Sequence, residues 1–359
     1  MGFSTLSIAQ STEKINIVTT SVPFLRISSD ARAGGMGETG IATSPDANAQ
    51  FYNVAKYAFA ESKTGIGMTY TPWLKKLGLN DVYLASLAGY YKIGDDQAFS
   101  ASLKYFSLGN LQISDNDGNA LYTQRPSEMS VDAGYSRKLS PKISMGLAAR
   151  YIHSDIAGNS SQGNIQYKAG NAFSADLGLY YSTVAEGKSG WSAGAALSNL
   201  GTKISYSSDA GQENFLPANV GGAAGYTWAV NEAHKLTINA EANKLLVPVA
   251  PANATEDEYR KYNETGVIDG WISSFGNKAM SYAAGGEYVY AGQFSLRAGY
   301  YRDTRSLGKR NYFTTGFGVK YNILDFNFSY VLPSGTGINS NPLSNTIRFS
   351  LIFSPGAAK

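Results

Sequence analysis

The chain has 359 residues, of which 16% are charged and 43% hydrophobic, and its formal net charge is +3. The charged fraction is well below the roughly 25% of an ordinary soluble domain. No segment has the run of about 18 apolar residues that a transmembrane helix needs. The small net charge, without a basic run, argues against nucleic acid as a partner. The absence of cysteine excludes disulfides and thiolate metal sites.

The N-terminal residues resemble the end of a signal peptide. Ser7, Ile8 and Ala9 form the small–spacer–small pattern that signal peptidase prefers, which makes Gln10 the first mature residue. A disordered N-terminus is an equally good interpretation. We therefore divide the chain into a residual signal peptide at 1–9, a separate segment at 10–62 and a body at 63–359.

Strict alternation of apolar and polar residues marks the body. In "LDFNFSYVL", residues 324–332, every second residue is apolar and three of these are aromatic. This is the period of a strand whose two faces meet different surroundings. Each such segment has about the 9–11 residues with which a tilted barrel strand crosses a bilayer. The pattern predicts fourteen strands, at 63–73, 81–92, 97–108, 126–137, 142–155, 171–183, 190–200, 217–229, 234–246, 280–290, 292–302, 311–321, 323–332 and 344–353.

The connections between these strands alternate in length. Connections such as 94–96 and 138–141 are short, whereas those at 109–125 and 247–279 are long. Outer-membrane barrels have short periplasmic turns and longer outside loops. The sequence therefore predicts an all-β protein, a transmembrane antiparallel β-barrel of about fourteen strands.

Charged residues inside the strands fall on the polar phase of the alternation. An Arg or Lys that faces lipid at mid-bilayer costs roughly 2–4 kcal/mol. We therefore expect all of these side chains to face the lumen. Five are cations and five are anions, which favours a paired network over a wide channel. They are Lys104, Asp132, Arg150, Asp176, Glu241, Glu287, Arg297, Lys320, Asp325 and Arg348.

The segment 10–62 does not alternate and is rich in glycine. Gly35, Gly37 and Gly40 formally match G-x-G-x-x-G, but neither a preceding buried strand nor a βαβ unit accompanies them, so we reject dinucleotide binding. The glycines predict a tightly turning segment that packs close to other backbone, in or beneath the barrel. Asn53 is a candidate buried amide that satisfies the backbone of this segment.

The stretch "DARAGGMGETGIATSPDANAQFYNVAKYAF" resembles the N-terminal hatch of the PorV and PorQ outer-membrane proteins of the bacterial type IX secretion system, which are distantly FadL-like. The resemblance lies in Ala31-Arg32 through Gly40, Asp46 through Ala49, and Asn53. Val54 departs from it, because the family has proline there. By this resemblance, the hatch residues are Arg32, Gly35, Gly37, Gly40 and Asn53.

The resemblance implies a fourteen-stranded FadL-like barrel in the outer membrane of a Bacteroidetes-type Gram-negative bacterium. It also implies a protein without a cofactor that binds the C-terminal signal domain of secreted cargo at a large outer-membrane translocon barrel. The protein would then deliver that cargo to a PorU-like sortase complex at the surface, in contact with outer-membrane lipid or lipopolysaccharide. The alternative is a FadL-like transporter of hydrophobic small molecules.

Catalytic and metal-binding signals are weak. His153 and His234 stand alone, and neither G-x-S-x-G nor H-E-x-x-H occurs, so we expect no enzyme. The acidic "SDNDGN", with Asp115, Asn116 and Asp117, is more typical of a turn than of a metal site.

The long loops at 201–216 and 247–279 are the predicted working surface. Trp271, Ile272 and Phe275 form an apolar cluster where water is expected, which usually marks a contact site. Phe215 and Leu216 would join it. The competing interpretations are a lid over the lumen, or membrane anchoring by Trp271. In the same loop, Thr255 and Glu258 form a capping-box pattern that predicts a short helix.

Overall fold

A computed structural model of the protein describes residues 18–73, 81–114, 119–156, 158, 161–162, 165–207, 213–251, 255–333 and 345–355. Fourteen antiparallel strands form one closed barrel, in which each strand pairs with its neighbours in the chain and the last pairs with the first. The predicted all-β transmembrane barrel of fourteen strands is thereby confirmed. Closure gives every wall strand two partners, so no strand edge faces lipid.

We number the wall strands in chain order. They are β1 (Thr64–Pro72), β2 (Val82–Ile93), β3 (Gln97–Leu108), β4 (Ser127–Ser140), β5 (Ile143–Asp155), β6 (Gly170–Ser182), β7 (Gly190–Gly201), β8 (Asn219–Ala229), β9 (His234–Leu245), β10 (Met280–Tyr290), β11 (Phe294–Asp303), β12 (Asn311–Tyr321), β13 (Leu324–Val331) and β14 (Ile347–Phe353).

The alternation in β13 shows how the sequence sets the two faces of the wall. Phe326 is 51% exposed on the outside, whereas the next residue, Asn327, is 4% exposed on the inside. Phe328 lies on the outer face between Phe317 and Phe349, with ring centroids 5.1 and 5.4 Å away. Such cross-strand aromatic pairs stabilise a sheet and present apolar surface to hydrocarbon.

The two ends of the barrel differ. Strands β10 and β11, like β12 and β13, are joined by tight turns that place Ala291, Gly292 and Asn322 at positive φ. The long connections lie at the opposite end, which we call the outer end because long loops face outside in outer-membrane barrels. They contain small hairpins, such as Leu111–Ser114 with Ala120–Gln124.

The loop between β9 and β10 contains two helices. Helix Glu256–Glu264 begins with the capping box that the sequence predicted, since Thr255 and Glu258 exchange side-chain and backbone hydrogen bonds. Helix Val267–Ser273 follows, and a 3-10 turn, Ser274–Gly276, continues it. None of the described helices is long and apolar enough to cross a membrane.

Residues 18–62, which we call the hatch, fill the barrel. Their elements are 3-10 turns at Pro23–Arg26, Ala49–Phe51 and Val54–Phe59, and a short helix at Ala31–Gly35 that Asp30 caps. The hatch begins at the outer end, where the Val18 amide donates to the Ser306 carbonyl at 2.9 Å. It ends at the short-turn end, where β1 begins at Thr64. The hatch therefore runs through the barrel from one end to the other.

Candidate functional site: the hatch and the outer rim

A buried ion-pair chain joins the hatch to strands β10 and β11. Arg32 of the hatch contacts Glu287 at 2.7 Å and Asp46 at 2.9 Å. Glu287 also accepts from Arg297 Nε at 2.8 Å, and Arg297 Nη1 donates to Asn327 at 2.6 Å. Each charge thus has an opposite charge and further hydrogen bonds, the condition under which buried ions are tolerated.

Three more wall charges hold hatch groups. Arg348 pairs with Glu38 of the hatch at 3.0 Å. Glu241 accepts hydrogen bonds from the amides of Gly40 and Ile41, both at 2.9 Å. Lys104 donates to the Ile27 carbonyl at 3.3 Å. The expected lumen network is therefore divided between wall–wall pairs and contacts with the hatch.

A second cluster lies within the wall itself, across β3 to β7. Arg150 contacts Asp132 at 2.6 Å and Asp176 at 2.8 Å, and its Nη1 also donates to the Asn199 side chain. Ser102 donates to Asp132 at 2.7 Å. Arg150 on β5 therefore pairs with one carboxylate on each neighbouring strand, Asp132 on β4 and Asp176 on β6.

The two remaining predicted lumen charges, Lys320 and Asp325, lie nearer the short-turn end. They are register partners on β12 and β13, and both are half-buried. Both line a cavity at the short-turn end of the hatch.

Glycines of the hatch lie against glycines of the wall. Gly37 has φ +68°, and a Cβ there would lie 2.7 Å from both the amide nitrogen and the carbonyl oxygen of Tyr300. A Cβ on wall residue Gly299 would collide with Gly37, and one on Gly285 with Met36. These wall glycines were not predicted from the sequence. The signal for them was glycine on the inward phase of a strand, which often marks close approach of another backbone.

Asn53 and Lys56 are the buried polar side chains of the last hatch turn. The Asn53 amide donates to the carbonyls of Leu179, at 2.9 Å, and Ile41, at 3.2 Å, and its oxygen accepts from the Ala55 amide. Lys56, which was not predicted from the sequence, donates to the Gly40 carbonyl at 2.8 Å and to Thr43 at 2.9 Å. Burial lowers the pKa of this lysine to about 8.

The hatch separates two cavities. The outer cavity, of about 420 Å³, is lined by Phe51, Trp73 and Phe106 among others. The cavity at the short-turn end, of about 280 Å³, is lined by Arg32, Asp46 and Tyr180 among others. Hatch residues line both cavities and lie between them.

The outer rim carries an exposed apolar ridge. Ile268, Ile272 and Phe275 are 65%, 65% and 66% exposed, and their spacing places them on one side of the helix that follows Gly266. Ile272 and Phe275 were predicted from the sequence, whereas Ile268 was not. Trp271 is half-buried, so it presents less surface to solvent than expected.

Phe215 and Leu216 are not part of this exposed surface, and that expectation is corrected. Both are only 3% exposed, because they lie in two apolar clusters under the outer loops. Phe215 packs edge-on against Tyr262, with ring centroids 5.8 Å apart, and Lys203 lies over its other side. Phe215 therefore supports the loop between β9 and β10 from below, whereas Leu216 packs against hatch and wall residues such as Phe24 and Phe106.

Each histidine ring has one hydrogen-bond partner, and both partners are uncharged. His153 contacts the Asn171 side chain at 2.9 Å, and His234 contacts the Tyr288 hydroxyl at 2.5 Å. Neither contact forms a catalytic arrangement. Asp115, Asn116 and Asp117 lie outside the described residues.

A closed barrel with alternating loop lengths and an N-terminal segment packed through its lumen defines an outer-membrane β-barrel of the FadL-like, hatch-bearing class. Its N-terminal glycine-rich segment fits the hatch expected from the sequence. The chain belongs to the PorV family, since the family model for type IX secretion system protein PorV matches residues 10–252.

Two of the solved structures with a similar fold are toluene transporters. TbuX, a toluene transporter of Ralstonia pickettii, has a TM-score of 0.53 and 12% identity, and the match covers 90% of this chain and 97% of that chain. TodX, the Pseudomonas putida toluene transporter, has a TM-score of 0.52 and 12% identity, with 89% and 95% covered. At such identities the similarity extends to the fold alone. The comparison with curated proteins finds no match.

Proposed function

We propose that this protein is the cargo-handling outer-membrane component of a type IX secretion system in a Bacteroidetes-type bacterium. It binds the C-terminal signal domain of cargo at a large translocon barrel and delivers the cargo to a PorU-like sortase complex. It performs this role as a non-enzymatic binding protein. Membership of the PorV family supports a role in type IX secretion. The exposed ridge at the outer rim supports a role in binding other proteins.

The ridge is the observation that carries the proposal. A protein that holds partners in turn needs a contact surface that is separate from the membrane-embedded wall. Ile268, Ile272 and Phe275 supply apolar area beyond the barrel, on a helix whose other side rests on buried Phe215. Large apolar side chains that remain exposed together usually mark a protein contact.

The test replaces Ile268, Ile272 and Phe275 with Ser together and leaves half-buried Trp271 intact. We expect a folded, heat-modifiable barrel that retains less translocon and cargo on affinity purification and leaves cargo unanchored. The matched control replaces Leu121 and Tyr122 with Ser. These are 60% and 50% exposed on another outer hairpin. Normal display of cargo by the triple variant would place the contact elsewhere.

The alternative is transport of a hydrophobic small molecule, which the aromatic lining of the outer cavity favours. Phe51, Trp73 and Phe106 could accommodate an apolar ligand there. Passage to the other cavity would require the hatch to move. Saturable uptake of a hydrophobic compound that depends on this protein, with cargo display unaffected by the ridge substitutions, would favour this alternative.

A further inference from the structure

The outer cavity is closed on its inner side by the hatch. Its volume is about 420 Å³, and hatch residues lie between it and the cavity at the short-turn end. Two exposed residues of the first hatch turn, Pro23 and Arg26, are among those that line it. A polypeptide can therefore enter this cavity with a chain end, but it cannot pass through while the hatch is in place.

Positive charge is in excess in the lining of the outer cavity. Among the described residues that line it, three are arginines and two are glutamates. Both glutamates are already engaged, because Glu38 pairs with Arg348 at 3.0 Å and Glu241 accepts the amides of Gly40 and Ile41. The two remaining arginines therefore have no carboxylate of the lining available to them.

Arg26 and Arg310 supply this excess charge. Arg26 makes no hydrogen bond or ion pair with a residue that the structure describes. It is accessible from the cavity, yet protein atoms surround it, so desolvation by burial lowers the pKa of its guanidinium. Repulsion from nearby Arg310, which contacts Asp303 through Nε and Nη2 at 2.8 Å each, lowers this pKa further. An anion between the two guanidinium groups would offset both effects.

Another part of the lining is aromatic, and neutral polar groups lie beside it. Trp73 and Phe106 pack edge-on, with ring centroids 6.0 Å apart, and Phe51 of the hatch also lines the cavity. Ser198 and Asn219, which are register partners on β7 and β8, add a hydroxyl and an amide. An alkyl chain in the cavity would leave such polar groups without hydrogen-bond partners, whereas a peptide backbone supplies them. The lining therefore fits a short peptide with an anionic end better than it fits a lipid-like acid.

We propose that the outer cavity receives the free C-terminus of a polypeptide and binds its α-carboxylate between Arg26 and Arg310. The last side chain of that polypeptide, an apolar one, lies against Trp73 and Phe106. Arginine forms charge-assisted, two-point hydrogen bonds with a carboxylate. Because the hatch closes the cavity, the site selects a chain end over an internal Asp or Glu. This inference rests on the proposed function, which makes the C-terminal signal domain of cargo the source of the terminus.

The test measures peptide binding by the purified full-length protein in detergent. The probes are N-acetylated peptides Ser-Thr-Gly-Ser-X, in which X is Ala, Val, Leu or Phe. Each is prepared with a free α-carboxylate and as the C-terminal amide, and complexes are measured by native mass spectrometry. We expect the acids to bind, most tightly when X is large. The amides should bind at least about tenfold more weakly, because they lose a charged hydrogen-bond acceptor.

Substitution of Arg26 tests the residue that the proposal assigns. Arg26→Gln should weaken binding of the acids at least about tenfold and leave the barrel folded and heat-modifiable, because the arginine pairs with no described residue. Arg26→Lys, which keeps the charge, should restore part of the binding. The matched control is Arg125→Gln, which removes an exposed arginine before β4 that does not line the cavity, and it should bind like wild type.

Three results would overturn the proposal. One is equal binding of acids and amides, or equal binding by wild type and Arg26→Gln. Another is Arg26-dependent binding of laurate without binding of any peptide acid, which would assign the cavity to a lipid-like acid. The third is displacement of the peptide acids by millimolar acetate, which would show a small-anion site.

The ridge variant separates this inference from the proposed function. The variant with Ile268, Ile272 and Phe275 replaced by Ser should bind the peptide acids like wild type, because the ridge does not line the cavity. Peptide binding, combined with normal cargo display by cells that lack the protein, would refute the secretion role and leave the cavity site in place. Absence of peptide binding, combined with loss of cargo by the ridge variant, would refute the cavity site alone.

Discussion

Arg32 of the hatch donates two hydrogen bonds to the Glu287 carboxylate of the barrel wall, from Nε at 2.9 Å and from Nη2 at 2.7 Å. This two-point contact fixes the orientation of both groups as well as their distance. The residues are 255 positions apart in the chain; Glu287 is buried, and the Arg32 side chain is only 12% exposed. The pair is therefore the main electrostatic link between the hatch and β10.

Replacing Arg32 with Met should loosen the hatch. Asp46 would lose its cation, and Glu287 would keep only Arg297. The free energy of unfolding should therefore fall by part of the roughly 3–5 kcal/mol that breaking a buried ion pair costs. Limited proteolysis should then cut within residues 30–57 while the barrel stays heat-modifiable. Arg260→Met, which removes an exposed arginine paired with Asp257, is the control and should have little effect. A hatch as resistant as that of wild type would contradict this role of Arg32.

Gly37 and Gly222 provide a matched pair of glycine-to-alanine changes. At Gly37 a methyl group meets the backbone of Tyr300 and the chain is at positive φ, so Gly37→Ala should lower the free energy of unfolding by more than about 1 kcal/mol. At Gly222 a Cβ has nothing within 4 Å, so the same change should stay within about 0.5 kcal/mol. Thermal unfolding of the purified proteins measures both. Equal effects would mean that the glycine contacts between hatch and wall are not tight.

The fourteen strands could be predicted because their signals are local. Alternation within about ten residues, as in β13, reports the two surroundings of a strand without knowledge of its partner. That Arg150 and Glu287 face the lumen follows from the same pattern, because a charge on the lipid-facing side of a strand is destabilising. Capping of the helix by Thr255 is equally local.

The contacts between distant residues could not be predicted in this way. Nothing near Arg32 in the chain identifies Glu287 as its partner, because that pairing depends on the path of the hatch through the closed barrel. The burial of Phe215 likewise depends on how the loop after β9 folds over it. An apolar residue in a long loop has the same sequence signal whether it is exposed, like Ile272, or buried, like Phe215.

Arg150→Gln should destabilise the barrel wall. Without the guanidinium, Asp132 and Asp176 would face each other, and both are largely screened from water. Removal of one partner from a buried ion pair costs roughly 3–5 kcal/mol. Thermal unfolding should show a marked drop, and adding Asp132→Asn and Asp176→Asn should restore much of it by removing the uncompensated charge. An unchanged midpoint for the single variant would show that the cluster contributes little.

Lys56 should make the stability of the hatch depend on pH. Its side chain is 1% exposed, and desolvation by burial, partly offset by Asp46, lowers its pKa from 10.5 to about 8. Below pH 8 the ammonium group is charged in both the folded and the unfolded state, so the folded hatch bears the full free-energy cost of burying this charge. Between pH 8 and 10.5 the unfolded segment holds a proton that the folded one has released, so stability rises with pH by up to about 3 kcal/mol.

Denaturant unfolding of wild type across this range should show the rise relative to Lys56→Met. The control, Lys261→Met, removes an exposed lysine of the outer loop and should parallel wild type. Parallel curves for wild type and Lys56→Met would mean that the lysine is not desolvated in the folded hatch.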